Sequence, residues 1–294
     1  MAIVPGTPPA PSLRPDREFH FADADFERVR ALIYKHAGIA LAPIKRDMVY
    51  SRLARRLRAL GLSTFAQYLK VLEAGDEQEW ETFVNSLTTN LTSFFREAHH
   101  FDVLTEHMRK AKTRPYRIWC SAASTGEEPY SLAMTACEAF GSLTPPVSIV
   151  ASDIDTNVLA TAERGVYALE RVEKLPPARL QKFFLKGTGE RSGYARVRPE
   201  LLQLVTFRQI NLLDARYPVD GPFDALFCRN VMIYFDKQTQ YAILEKFKPL
   251  LKPEGLLFAG HSESFMHAAK LFRSLGRTVY CHTEHNHPEV HSHR

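Results

Sequence analysis

Arg117-Ile118-Trp119-Cys120-Ser121-Ala122-Ala123-Ser124-Thr125-Gly126-Glu127-Glu128-Pro129-Tyr130-Ser131 is the stretch that decides the fold. An apolar run suited to a strand passes into small side chains and then into a helix start, with Pro129 in the first turn, where its missing N–H leaves no bond unmade. The same grammar repeats outward along the chain. Short apolar strands at 117–121, 147–152, 205–210, 223–228 and 255–260 alternate with amphipathic helices at about 127–140, 155–163 and 237–251. That alternation is the signature of a mainly parallel sheet covered on both faces, a doubly wound α/β domain. A closing pair of strands is expected at 271–275 and 278–283. The rhythm breaks at about 165–204, where Lys186-Gly187-Thr188-Gly189-Glu190-Arg191-Ser192-Gly193 supplies a glycine-punctuated turn. This stretch predicts an inserted small antiparallel β subdomain.

Upstream, the periodicity is helical. Phe26, Val29, Ile33 and Ala37 share a face of a first helix that starts at Asp23 and ends at Gly38. A second helix spans 45–60, with Val49, Leu53, Leu57 and Leu60 on one face, Gly61 at its end, and Arg52, Arg55, Arg56 and Arg58 largely off that face. Ser63 is expected to cap a third helix carrying Phe65, Leu69 and Leu72. Asp76 opens a fourth with Trp80, Phe83, Val84 and Leu87. The domains expected are therefore a helical unit at 18–100 and an α/β unit at 101–283. Residues 1–17, with Pro5, Pro8, Pro9, Pro11 and Pro15, read as a disordered tail, as do the histidine-rich residues 284–294.

Composition narrows the function. With 45% hydrophobic and 24% charged residues in 294, the chain is of ordinary globular type. Its apolar runs are too short to cross a bilayer, which takes about 20 residues. Residues 1–17 lack the basic start and apolar centre of a secretory signal, so a cytoplasmic protein is expected. Cys120, Cys137, Cys228 and Cys281 lie far apart in apolar surroundings without metal-type spacing, and read as buried thiols. No metal is expected. The formal charge of +5 is mild. Residues 45–58 alone hold six basic residues against Asp47, a basic face for solvent or a partner.

In an open parallel sheet, ligands bind beyond the carboxyl ends of the strands. The turn 121–126 lets a ligand approach the backbone closely. It lacks the ending of a phosphate loop and places Glu127 and Glu128 where an anion would be repelled, so a cationic ligand is favoured. Asp153, beyond the second strand, is suited to accept both hydroxyls of a ribose, and Asp155 to cap the next helix. The third strand ends at Asn211-Leu212, suited to a base edge. The fourth ends at Cys228-Arg229-Asn230-Val231-Met232-Ile233-Tyr234-Phe235.

Four stretches in order then carry a resemblance: Thr89-Asn90-Leu91-Thr92-Ser93-Phe94-Phe95-Arg96-Glu97, Ala123 to Ser131, Ala151-Ser152-Asp153-Ile154-Asp155, and Phe227 to Phe235. Over roughly residues 20–283 the chain resembles the bacterial chemotaxis receptor methyltransferases, the CheR family. The resemblance implies a Rossmann-like S-adenosylmethionine methyltransferase domain behind an all-helical one. It implies methylation of receptor glutamates to methyl esters for sensory adaptation in chemotaxis, with S-adenosylhomocysteine as the other product. It also implies a cofactor pocket lined by Asn90, Thr92, Arg96, Glu127, Asp153, Asn211, Leu212, Cys228 and Arg229. Arg96, Arg229 and Tyr234 are the expected catalytic tools, because displacement at a sulfonium methyl by an ionised carboxylate depends on positioning rather than on a strong base.

The implied partners are methyl-accepting chemotaxis receptors. Their acidic helical region would dock on Arg52, Arg55, Arg56 and Arg58, and a C-terminal tethering peptide would bind at the inserted β subdomain. A monomer that binds no nucleic acid is expected, since the loop after the fourth strand lacks the Asn/Asp-Pro-Pro-aromatic pattern of base-amine methyltransferases. Trp80-Glu81-Thr82-Phe83 resembles such a tether, but its spacing is that of a core-facing helix. The alternative of another class is a non-catalytic signalling module that binds cofactor or receptor without turnover.

Overall fold

A computed structural model describes residues 17–285. The expected tails thus lie outside the described residues except at their inner ends. There Arg17 packs its guanidinium over the Tyr50 ring at 4.5 Å, and Glu284 pairs with Lys248 at 2.9 Å. Helices α1 (Asp23–Ala37), α2 (Arg46–Ala59), α3 (Phe65–Glu73) and α4 (Glu77–Leu87) build the first unit. They enclose one core in which Val29, Ile33, Leu53, Leu57, Phe65, Leu72 and Phe83 are buried, as the helical periodicity requires. Local chemistry sets the ends. Gly38 takes φ +69 and closes α1, and Asp76 caps α4 by accepting the Glu79 amide at 3.0 Å.

The cap of α3 is Thr64, not Ser63. Thr64 accepts the Gln67 amide at 3.2 Å while the Gln67 carboxamide takes the amides of Ser63 and Thr64. This reciprocal arrangement needs its Gln three residues after the cap, which selects Thr64. Trp80 and Phe83 face inward as expected: the Trp80 indole donates to the Leu72 carbonyl at 2.7 Å and stacks on His36 at 4.6 Å.

The second unit starts with α5 (His99–Lys110), to which the sequence reading assigned no element. Its Phe101, Leu104 and Met108 belong to the sheet core. Then follow β1 (Tyr116–Cys120), α6 (Glu127–Phe140), β2 (Val147–Asp153) and α7 (Thr156–Arg164). Next come β3 (Val166–Ala168), α8 (Leu169–Val172), α9 (Pro177–Phe183), β4 (Phe184–Lys186), β5 (Tyr194–Val197) and α10 (Pro199–Leu202). The chain closes with β6 (Val205–Gln209), β7 (Phe223–Cys228), α11 (Lys237–Phe247), β8 (Leu251–Ala259), β9 (Phe272–Gly276) and β10 (Val279–His282).

The main sheet has the order β6-β2-β1-β7-β8-β10-β9. It is parallel through β8, with β10 antiparallel to both β8 and β9. Strand order reverses between β1 and β7, which sets the ligand crevice at their carboxyl ends. The insert is a separate sheet, β3-β5-β4, antiparallel throughout. The glycine turn joins β4 to β5 as expected, and Gly187 is required there because a Cβ would lie 2.0 Å from the Arg191 carbonyl oxygen. Beyond that expectation, the insert also carries short helices. Among the described residues no helix is long and apolar enough to cross a membrane.

Candidate active site

The crevice becomes a cleft of about 410 Å³ because the helical unit forms its other wall. Gly38 is the close approach: a Cβ there would lie 2.9 Å from Leu213 and 3.0 Å from Phe235. Beyond it, the Ala40 amide donates to the Tyr234 carbonyl at 2.8 Å, Asn211 donates to the His36 carbonyl at 2.8 Å, and the Tyr34 hydroxyl pairs with Asp236. A second seam joins α4 to α7. The Thr88 hydroxyl and the Asn90 amide donate to Asp155 at 2.7 and 2.9 Å, and Asn85 donates to Thr156 at 3.0 Å. Asp155 also accepts the amides of Asn157 and Val158, so it caps α7 as expected and clamps the 88–90 loop to it.

The floor of the cleft is the turn after β1. Ser124 at φ +49 and Gly126 at φ +98 bend it sharply, and a Cβ on Gly126 would meet the Tyr167 hydroxyl at 2.7 Å and Ala162 at 2.8 Å. The bend aims the Ser124 amide at Asp153, whose carboxylate accepts it at 2.8 Å and accepts the Asp155 amide at 3.1 Å. Burial pushes the Asp153 carboxyl up to about 6, against those two amides. A carboxylate held there gains from further hydrogen-bond donors in the cleft.

At the opposite end, the Arg229 side chain is 1% exposed and held through its two terminal nitrogens, while its buried Nε has no hydrogen-bond partner among the described residues. Its guanidinium pairs with Glu128 at 2.8 Å and Glu97 at 3.3 Å and donates to the Arg96 carbonyl. Burial raises Glu97, but the His261 amide, Arg229 and Asn230 more than offset this, and its pKa falls below the usual carboxylate range. His100, packed behind this group, is pushed down to about 3 by burial first and then by the Arg229 and His99 charges. It is therefore neutral at physiological pH. Glu263, buried after β8, accepts the amides of Asn230, Met232 and Gly260, and so shapes the loop that carries Asn230 and Tyr234. Gly260 is needed there, since a Cβ would sit 2.3 Å from the Asn230 side-chain nitrogen.

Of the residues expected at the site, Asn90, Thr92, Arg96, Asp153, Asn211, Leu212, Arg229 and Tyr234 line this one cleft. Glu127 and Cys228 do not. Glu127 is fully buried with its carboxylate on Thr125 and Arg171, and its neighbour Glu128 lines the cleft instead. Successive residues of a helix point about 100° apart, so only one of the pair can face the ligand. The Cys228 side chain packs among Trp119, Met232 and Ala259 in the core. Glu97, Glu263 and the 37–48 segment were missed, because no local pattern marks a residue whose partners are distant in sequence.

Three of the basic helix's side chains also find partners at home. Arg56 pairs with Glu79, itself 5% exposed and bonded to the Tyr68 hydroxyl at 2.8 Å. Arg52 donates to the carbonyls of Ser86 and Thr88, and Arg58 pairs with Glu18 at 2.8 Å. Arg55 stays exposed.

This donor set fits S-adenosylmethionine. Asp153 would accept ribose hydroxyls, Ile154, Ile210 and Leu212 would offer apolar walls to a base, and the Glu128 carboxylate would suit a cationic sulfonium or ammonium. Sheet order and switch-point cleft are those of an S-adenosylmethionine-dependent methyltransferase, the class that the family match below shows. Residues 90–281 match the family model described as CheR methyltransferase, SAM binding domain, and residues 24–88 match CheR methyltransferase, all-alpha domain. The chain belongs to the CheR methyltransferase family.

It is 56% identical over 279 residues to chemotaxis protein methyltransferase 2 of Pseudomonas aeruginosa, covering 94% of this chain and 99% of that protein. It is 56% identical over 260 residues to the chemotaxis protein methyltransferase of Escherichia coli, covering 88% and 91%. Among solved structures, a TehB-like SAM-dependent methyltransferase from Corynebacterium glutamicum aligns over 70% of this chain and 95% of its own, at 11% identity and a TM-score of 0.38.

Proposed function

We propose that the protein transfers the methyl group of S-adenosylmethionine to glutamate side chains of chemotaxis receptors, forming methyl esters. The observation that carries this reading is the cleft between a helical unit and the switch point, with Arg96 and Tyr234 at its lining and Arg229 locked beside them. The relatives named as chemotaxis methyltransferases support it. Bound there, S-adenosylmethionine supplies an electrophilic methyl on a sulfonium. Asp153 holds the ribose end, Glu128 the cationic end, and Arg229 keeps Glu128 and the Arg96 backbone in place. Arg96 orients the acceptor carboxylate, which is already ionised at neutral pH and needs no base. Arg229 commits both terminal nitrogens to Glu128, Glu97 and the Arg96 carbonyl, so its part is positioning.

The receptor's acidic helical region docks against the N-terminal unit, where Arg55 and Arg58 are exposed on α2 and Arg58 is paired with Glu18. A C-terminal receptor peptide, where present, adds to an edge strand of the insert, whose outer strands are β3 and β4. The protein acts as a cytoplasmic monomer at receptor arrays. Incubating it with receptor-bearing membranes and methyl-labelled S-adenosylmethionine tests this reading. Label that is incorporated into receptor and released by mild base is expected; label that resists base, or none, overturns it.

A further inference from the structure

The insert meets the floor of the cleft at a cluster that the cofactor contacts leave unused. Glu127, the first residue of α6, is fully buried. One of its carboxylate oxygens accepts the Thr125 hydroxyl at 2.6 Å, and the other takes the guanidinium of Arg171, which reaches in from α8 of the insert. From β3 of the insert, Tyr167 donates its hydroxyl to the Thr125 carbonyl at 2.8 Å. Its hydroxyl lies over Gly126 so closely that no Cβ fits beneath it. Three successive residues of the turn are thus held from the insert's side. On the other side of the same turn the Ser124 amide holds Asp153. A buried carboxylate requires a paired cation, and here that cation belongs to a different structural module.

We propose that Arg171 and Tyr167 are positioning residues for the cofactor, a latch through which the insert fixes the turn 124–127 and thereby tunes cofactor affinity. The proposal rests on the assignment of the cleft to S-adenosylmethionine. Coupling of this kind is reciprocal: whatever the latch adds to cofactor binding, the cofactor adds to the order of the insert. Neither residue lines the cleft, so the latch acts on cofactor binding and not on recognition of the acceptor carboxylate there.

The test is calorimetric titration of the full chain with S-adenosylhomocysteine for wild type, Arg171→Met, Tyr167→Phe and Arg171→Met with Glu127→Gln, alongside hydrogen exchange of residues 166–172 with and without that ligand. Arg171→Met is expected to weaken binding about tenfold, the equivalent of about 1.4 kcal/mol. Tyr167→Phe, which keeps the ring in place, is expected to weaken it about threefold, as for loss of one neutral hydrogen bond. The double variant regains most of the loss, because no charge is left buried alone. Ligand slows exchange in the insert of wild type and fails to do so in Arg171→Met. The Michaelis constant for an acceptor that lacks the C-terminal tethering peptide stays at its wild-type value, which a general loosening of the fold would not give. Should Arg171→Met not fold, Tyr167→Phe and the double variant still decide the matter. Wild-type affinity in the folded single variants, or ligand protection that survives them, overturns the latch. Failure of wild type itself to bind overturns the cleft assignment instead.

Discussion

Replacing Asp153 with Ala is expected to change both the strength of cofactor binding and its pH dependence, in ways that the local geometry prescribes. A charged carboxylate that accepts two ribose hydroxyls contributes about 1–3 kcal/mol, so affinity for S-adenosylhomocysteine should fall by roughly 5- to 150-fold. The pH dependence is sharper evidence. Burial pushes the Asp153 carboxyl up to about 6 in the protein without ligand, and hydroxyl donors favour its ionised form. At pH 5 only about a tenth of it is ionised, so wild-type affinity should drop about tenfold between pH 8 and pH 5, with proton release on binding.

The variant should lack this component. Stability moves the other way. Because the folded pKa lies above the unfolded one, the unfolded state binds fewer protons between pH 4 and 6, and the protein loses stability as pH rises through that window. The span is about two units, or about 3 kcal/mol at most. Unfolding free energy of wild type relative to Asp153→Ala should therefore improve on acidification from pH 7 to pH 4. Calorimetry in buffers of different ionisation enthalpy and urea unfolding give the two measurements. An unchanged affinity with the same pH slope in a folded variant refutes the placement of the ribose at Asp153.

Arg96→Ala should nearly abolish turnover in the methyl-transfer assay while the unfolding midpoint stays close to wild type, since the side chain bonds only the Leu91 carbonyl among the described residues. Arg229→Met should do the opposite first, lowering unfolding free energy by about 3–5 kcal/mol in urea titration, because Glu128 and Glu97 would be left without their buried partner. Within α2, Arg55→Glu should impair receptor methylation in a salt-sensitive way at unchanged stability, whereas Arg56→Ala should lower stability through its effect on Glu79. Equal behaviour of the two in both assays would remove the distinction drawn between them.

Much of the fold was legible because its determinants lie within a few residues of one another. The spacing of Phe26, Val29, Ile33 and Ala37, the strand at 223–228, the helix at 127–140, and the caps at Asp76 and Asp155 all depend on local periodicity or on a side chain reaching an amide two or three positions away. The order of the four cleft motifs was legible too, and with it the cofactor class. The choice between Glu127 and Glu128 was not. Both follow the same turn, and only the arrival of Arg171 from the insert decides which carboxylate turns away from the cleft.

The same holds for Arg56, whose exposure on a helical wheel is undone by Glu79 on another helix. It holds for Glu263, which organises a loop some thirty residues before it in the chain. It holds also for the far wall of the cleft, closed by contacts such as Tyr34 with Asp236, 202 residues apart. The sequence by itself determined most of the elements and their order, since helix and strand periods and caps are short-range, and its motifs carried the resemblance that implied the class of ligand. Only the tertiary structure decided which charges meet, because pairing between elements depends on how packed faces bring distant residues together in space.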